Sequence, residues 1–71
     1  MKIILNAREI EVEQKELPYS TICHLAEIDP FLNPTVVYAI KGKGIGGSLT
    51  DGRTLAVVEG LIINANITNN S

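Results

Sequence analysis

Apolar and polar positions alternate over residues 61–68, near the end of the chain. Every second residue of this segment is apolar: Leu61, Ile63, Ala65 and Ile67. Three of the four intervening residues are Asn or Thr. Because successive side chains of a strand point to opposite faces of a sheet, the segment has one dry face and one mostly polar face. The pattern predicts a strand that covers a one-sided core.

Two shorter alternating runs, 1–5 and 8–13, lie at the start of the chain and are separated by Asn6 and Ala7. In the second run Ile10 and Val12 are predicted to point inward and the glutamates outward. Two such runs with two residues between them predict a β-hairpin. A two-residue turn needs positive φ at both central residues, which suits Ala7 poorly. Either Ala7 is strained or the loop is longer.

One short amphipathic helix is predicted over 19–28. Its apolar residues recur at spacings of three and four: Ile22, Cys23, Leu25, Ala26 and Ile28. Pro18 suits the first turn, where its missing N–H is not needed. Asp29 precedes Pro30, and a residue before proline disfavours helix, so the helix should end there.

Strand and turn signals fill the rest of the chain. The segment 13–17 is predicted to be a connector and 29–34 a loop, whereas the β-branched run 35–40 predicts a central strand. After it come a flexible hairpin loop or irregular edge, a short strand, a turn, an extended stretch and a second turn: 41–47, 48–50, 51–52, 54–58 and 59–60. The predicted order is β-β-α-β-β-β, with an uncertain number of short strands after the third.

One helix packed on one face of a mixed four- to five-stranded sheet is the two-layer arrangement that buries both apolar faces. The sequence therefore predicts an α+β domain with a β-grasp (ubiquitin-like) fold. The domain should span 1–68, and a flexible C-terminal tail should occupy 69–71.

Composition excludes several classes of function. The net charge is −2, and six scattered basic residues with three aromatics do not favour nucleic-acid binding. The single cysteine, Cys23, makes an intrachain disulfide impossible and disfavours a cysteine-based metal site. The apolar run 1–5 is too short for a signal peptide or a membrane span. We expect a cytoplasmic protein with no membrane partner and no bound metal or cofactor.

Several segments resemble ubiquitin and its bacterial relatives. The layout of 9–22 is similar to ubiquitin, and Asp51-Gly52-Arg53-Thr54-Leu55 also occurs in ubiquitin at the same point of the topology. The chain more closely resembles small bacterial ubiquitin-like proteins related to the multiubiquitin domains. Four stretches carry this resemblance over nearly the whole chain: Leu17-Pro18-Tyr19 leading into Leu25-Ala26, Asn33-Pro34-Thr35-Val36-Val37-Tyr38, Gly46-Gly47-Ser48-Leu49, and Val57-Val58-Glu59-Gly60-Leu61-Ile62-Ile63-Asn64.

The resemblance implies a non-enzymatic protein modifier. Members of this group are encoded beside E1-like, E2-like and deubiquitinase-like proteins in bacterial conjugation operons, some linked to phage defence. It implies that the E1-like partner uses ATP and that an E2-like enzyme transfers the modifier to target proteins. The conjugation tail would be Asn69, Asn70 and Ser71, or would end at Asn70 if a peptidase removed Ser71.

The chain departs from the pattern of its relatives at three places. It lacks the C-terminal Gly-Gly of ubiquitin. The bacterial group often has Gly where Ala7 stands and a Ser or Thr cap where Pro18 stands. These departures leave two other functions open. One is a β-grasp interaction module that is never conjugated. The other is a sulfur carrier, which would need the missing Gly-Gly.

A partner-binding surface is predicted on the sheet face that points away from the helix. If Ile3, Leu5 and Ile63 point inward, Ile4 and Ile62 point outward. Either Val37 and Ala39 or Val36, Tyr38 and Ile40 join them; we assign Ile4, Ile62, Asn64 and Val37 to this face. Apolar patches of this kind commonly bind partners. With an edge strand, the patch also makes self-association a hypothesis.

Other candidate residues have simpler explanations. Four lysines are candidate acceptors for chains of the modifier: Lys2, Lys15, Lys41 and Lys43. The glycine-rich 42–47 lacks the Gly-Lys-Ser/Thr ending of a phosphate loop, which favours a hairpin loop. Cys23 and His24 are adjacent, so on a helix they diverge; we expect a core cysteine and a surface histidine. The run Glu9, Glu11, Glu13 and Glu16 indicates a solvated face or an acidic docking patch.

Overall fold

The computed structural model describes residues 1–67. Within this range the chain forms seven strands, one α-helix and one 3-10 turn. In chain order these are β1 (Lys2–Leu5), β2 (Arg8–Glu11), β3 (Glu16–Pro18), α1 (Tyr19–Leu25), the 3-10 turn (Pro30–Leu32), β4 (Thr35–Ile40), β5 (Ile45–Leu49), β6 (Thr54–Ala56) and β7 (Leu61–Asn66).

The strands form a five-stranded and a two-stranded sheet. The larger sheet has the order β2-β1-β7-β4-β5, and β3 pairs with β6 in the smaller one. The neighbours β1 and β7 are parallel, whereas the other pairs are antiparallel. Two parallel strands cannot be joined by a tight turn and need a crossover connection. Here the chain leaves the edge strand β2, passes through α1 and returns to the sheet at β4, on the other side of β1 and β7. One helix on a mixed sheet of four to five strands, as the sequence predicts, is confirmed.

The core lies between α1 and the inward face of the larger sheet. Its fully buried side chains are Ile3, Leu5, Leu17, Ile22, Cys23, Val36, Leu61 and Ile63. Full burial of one such aliphatic side chain contributes about 2 kcal/mol. A shift of β1 or β7 by one residue would expose all of its inward side chains, so their burial favours the observed register. Val12 is buried and Ile10 half-buried, in agreement with their predicted inward direction.

The first hairpin closes with a two-residue turn, which is one of the two alternatives that the sequence left open. Leu5 pairs with Arg8, and Asn6 and Ala7 between them have φ of 50° and 68°. Both angles lie in the left-handed region, which a two-residue turn of this type requires. Asn tolerates that region because its side chain can form local hydrogen bonds. Ala7 is strained there, because its Cβ lies too close to the following carbonyl oxygen.

The helix begins at the predicted residue but ends earlier than predicted. It begins at Tyr19, because Pro18 is the N-cap residue and ends β3 rather than lying in the first turn. It ends at Leu25, not near residue 28. Glu27 turns into the left-handed region with φ of 60°, and the N–H of Ile28 donates to the Cys23 carbonyl at 2.9 Å. This 6→1 bond is the Schellman ending of a helix.

Three further boundaries differ from the sequence prediction. The connector predicted at 13–17 contains most of β3, which pairs with β6. No alternating sequence pattern predicts this strand. The loop predicted at 41–47 ends earlier, because β5 begins at Ile45. The last strand ends at Asn66, and Ile67 is exposed rather than inward. Thr68 and the predicted tail 69–71 lie outside the described residues.

Candidate functional site

Three apolar side chains form a row across the centre of the outward sheet face. Ile4 of β1 lies beside Ile62 of β7, and Ile62 lies opposite Ala39 of β4. Cross-strand partners share a face of the sheet, so the three side chains are neighbours. Ile4 and Ile62 are half-buried by this packing, whereas Ala39 is exposed. We call Ile4, Ile62 and Ala39 the outer row.

The direction of β4, which the sequence left open, is now fixed. Val36 is buried, whereas Val37 is 38% exposed. Val37 and Ala39 therefore point outward, and Val37 pairs with Asn64 of β7. The four residues that the sequence assigns to this face, Ile4, Ile62, Asn64 and Val37, thus occupy adjacent positions on one surface.

The side chain of Asn6 holds the end of β7 in place. Its Nδ2 donates to the Ala65 carbonyl at 3.0 Å, and its Oδ1 accepts from the Ala65 N–H at 2.7 Å. The backbone N–H of Asn6 also donates to the Ile63 carbonyl at 2.9 Å. The side-chain amide thereby continues the β1–β7 ladder for one more residue.

Charges are distributed unevenly around the outward face. Glu9 and Glu11 lie on the edge strand β2, on the same face as their partners Ile4 and Lys2. Lys2 Nζ lies 3.8 Å from a Glu9 carboxylate oxygen. The N-terminal ammonium lies 2.6 Å from Glu11, and this hydrogen bond and its charge hold the pKa of Glu11 below its usual value. All these groups are largely exposed, so each pair contributes little to stability.

Basic residues lie near the other edge of the sheet, next to β5. Lys41 and Lys43 lie in the turn between β4 and β5, and both are exposed. The Lys41 N–H donates to the Gly60 carbonyl at 2.8 Å, which ties this turn to the start of β7. Lys2 and Lys15 are exposed as well, so all four candidate acceptor lysines can be reached by an enzyme.

The adjacent Cys23 and His24 do not form a reactive pair. Cys23 is fully buried in α1 and His24 is exposed, as the sequence predicts. Burial raises the pKa of the Cys23 thiol, which disfavours the thiolate that nucleophilic chemistry needs. Cys23 therefore packs as a core residue, and His24 lies on the surface.

The glycine-rich segment 42–47 was predicted as a hairpin loop, but its last three residues belong to strand β5. Gly46 and Gly47 belong to β5, and Gly47 pairs with Tyr38 of β4. A Cβ on Gly47 would lie 3.0 Å from the Tyr38 hydroxyl, and one on Gly46 would lie 2.8 Å from the Tyr38 carbonyl. Glycine lets β4 approach β5 here, and this packing explains the pair without a phosphate ligand.

One exposed residue was missed by the sequence analysis. Phe31 is 91% exposed at the centre of the 3-10 turn, although its segment was predicted only as a loop. Its side chain is large, apolar and not part of the core. The flanking prolines were the only signal that this loop has a fixed shape.

Residues 1–67 contain neither a metal-ligand cluster nor a membrane-spanning helix. No group of three or more His, Cys, Asp or Glu side chains there is arranged to hold a metal ion. No helix in that range is long and apolar enough to cross a membrane.

Comparisons of the chain with protein-family models, with curated proteins and with solved structures gave no match. The geometry of the outward face and the sequence resemblance are therefore the two features that indicate a function.

Proposed function

We propose that this chain is a β-grasp, ubiquitin-like protein modifier that binds its enzymes through the outward sheet face and is not itself an enzyme. The observation that carries the proposal is the outer row. Ile4, Ile62 and Ala39 form a continuous apolar strip on a sheet face that the described residues leave uncovered. Uncovered apolar strips with polar borders are typical of protein-binding surfaces.

The strand order supports the β-grasp assignment. A first hairpin, a crossover helix and a last strand inserted parallel to the first are the arrangement that ubiquitin-like proteins share. The sequence resemblance to bacterial ubiquitin-like proteins extends over nearly the same elements. We therefore infer a cytoplasmic bacterial conjugation pathway with E1-like, E2-like and deubiquitinase-like partners, and antiphage defence is a candidate purpose of this pathway.

The chemistry belongs to the C-terminal carboxylate. In the proposed pathway an E1-like enzyme joins this carboxylate to the AMP part of ATP and releases pyrophosphate. A cysteine thiolate then displaces AMP to form a thioester, and an amine of the target displaces the thiolate. The conjugating residue would be Ser71, or Asn70 after removal of Ser71. The tail Asn69, Asn70 and Ser71 lies outside the described residues.

An interaction module that is never conjugated is the second candidate, because the same outer row supports it. Binding through Ile4, Ile62 and Ala39 requires no chemistry at the tail. A sulfur carrier is less favoured, because 69–71 contain no glycine and that class carries sulfur on a C-terminal Gly-Gly.

One experiment separates these functions. The full chain is incubated with ATP and an E1-like enzyme of the proposed bacterial pathway, and the products are measured by intact mass spectrometry. We expect an AMP adduct or a covalent conjugate of the chain. A mass gain of one sulfur atom would instead identify a carrier. An unchanged mass in the presence of an E1-like protein that hydrolyses ATP would favour the interaction module.

A further inference from the structure

The turn around Phe31 presents an apolar side chain on a preformed backbone. The Asp29 carboxylate accepts from the Phe31 N–H at 2.9 Å, and the Asn33 N–H donates to the Pro30 carbonyl at 3.1 Å. Asn33 ends the turn in the left-handed region. A backbone held in this way loses little conformational entropy when the turn binds a partner, and aromatic side chains are frequent anchors of protein interfaces. We call Phe31 and its turn the knob.

A small apolar pocket lies near the opposite end of β4. Ile40, Ile45 and Val58 line it, Lys43 and Glu59 stand beside them, and its volume is about 280 Å³. Ile45 is 54% exposed there. The knob precedes β4, whereas the pocket surrounds its last residue. Six residues of strand separate the two sites by about 17–20 Å, so they cannot meet within one copy.

The charges around the two sites are complementary. The exposed carboxylates of Glu27 and Asp29 flank the knob. On the pocket side, Lys43 and Glu59 are lining residues, and the exposed Lys41 directly follows the lining residue Ile40 in the chain. This part of the chain therefore carries two lysines and one glutamate. Opposite charges around an apolar contact favour its orientation and speed its formation.

We propose that this chain self-associates head to tail, with the Phe31 knob of one copy inserted into the Ile40–Ile45–Val58 pocket of the next. Each copy offers one knob and one pocket on different surfaces, so the contact is heterologous and can add further copies. The contact surface is small, and its affinity is correspondingly weak. The inference does not depend on the proposed modifier function.

Sedimentation velocity over a concentration series tests the proposal, and the series extends to about 1 mM because weak contacts populate only there. We expect the weight-average sedimentation coefficient of the full chain to rise steadily with concentration. Phe31→Ala and Ile45→Lys should each weaken association by about tenfold or more. Both replacements are at exposed positions, so circular dichroism should show unchanged folding. Ile67→Ala, which shortens another exposed aliphatic side chain outside the knob, the pocket and the outer row, is the matched control and should associate like the parent chain.

A mixing experiment distinguishes this contact from other modes of association. The Phe31→Ala chain retains its pocket, and the Ile45→Lys chain retains its knob. Mixed in equal amounts, the two should form a one-to-one dimer that does not grow further, although each alone stays monomeric. A parent chain that remains monomeric at every concentration would overturn the proposal. So would association that persists in both variants, since another surface, such as the β5 edge, would then be responsible.

Discussion

Asn6 and Ala65 exchange two hydrogen bonds, although 59 residues separate them along the chain. The side-chain amide of Asn6 replaces a peptide group in the ladder between β1 and β7. The first turn of the chain therefore fixes the end of the last strand, two residues before the end of the described range.

Replacing Asn6 with Gly should loosen the end of β7. Glycine keeps the positive φ but removes both side-chain bonds, and two bonds of about 1 kcal/mol each predict a loss of about 2 kcal/mol. Denaturant unfolding measures the loss, and hydrogen exchange should show faster exchange at the Ala65 amide. Asn33→Gly is the matched control, because Asn33 also has positive φ. If both variants lost equal stability, the Asn6 side-chain bonds would not be the cause.

Replacing Ala7 with Gly should stabilise the protein. Ala7 has φ of 68°, where a residue with a Cβ loses about 1–2 kcal/mol relative to glycine. The greater entropy of glycine in the unfolded chain offsets part of this gain, which leaves about 0.5 kcal/mol. Thermal unfolding should show a higher Tm.

Ala56→Gly provides the opposite control for Ala7→Gly. Ala56 is exposed in the extended strand β6, so glycine there should lower stability by about 0.5–1 kcal/mol. A lower Tm for Ala7→Gly as well would show that the turn does not strain Ala7.

The elements with a strong periodic pattern were predictable from the sequence. The alternation of Leu61, Ile63 and Ala65 gave the direction of β7, because a one-residue shift would expose the whole set. The direction of Ile4 and Ile62 followed from the same argument. Strand β4 was ambiguous because both of its faces carry β-branched residues, and its register depends on pairing with β7.

The missed features depend on contacts distant in sequence or on backbone geometry. Strand β3 exists because Leu17 pairs with Leu55, which no local pattern encodes. The helix ends early because Glu27 adopts a left-handed conformation usually found at glycine or asparagine. The knob at Phe31 depends on a side-chain cap by Asp29 that looks like an ordinary loop in the sequence.

Replacing Tyr19 with Phe should change how stability depends on pH. The buried Tyr19 hydroxyl donates to the Pro34 carbonyl at 2.5 Å, and burial raises the pKa of Tyr19 above its usual value. Its unfolded pKa is about 10, so its stabilising effect is complete below that pH. As the pH rises further, the unfolded state ionises first and stability falls. Removing the hydroxyl should cost about 1 kcal/mol at neutral pH and flatten the fall above pH 10.

Urea unfolding between neutral and strongly alkaline pH measures this difference. Tyr38→Phe is the control, because it removes a tyrosine hydroxyl from a half-buried position and keeps Tyr19. Burial also raises the pKa of Cys23, but that contribution is present in both variants. An equally steep fall in Tyr19→Phe would mean that Tyr19 does not titrate in this way.

A charge on the outward sheet face should impair partner binding without unfolding the domain. Val37 is exposed beside the outer row, so Val37→Asp adds a desolvation cost to any apolar contact there. We expect binding to the E1-like partner, measured by titration calorimetry, to weaken by about tenfold or more. Ala56→Asp places the same charge on the exposed β6 and should bind normally. Equal binding by all three chains would exclude Val37 from the partner surface.

Deleting 69–71 should abolish conjugation and leave the fold unchanged. Strand β7 ends at Asn66, and the hydrogen bonds described for it involve residues up to Asn66. The Tm should therefore stay close to that of the full chain. In the proposed pathway, an E1-like enzyme reaches the carboxylate through the small polar residues Asn69, Asn70 and Ser71, which the deletion removes. Deleting Ser71 alone separates two forms of the tail, because conjugation should survive if Asn70 is the conjugating residue. Conjugation that continued after deletion of all three residues would show that they are not the conjugation tail.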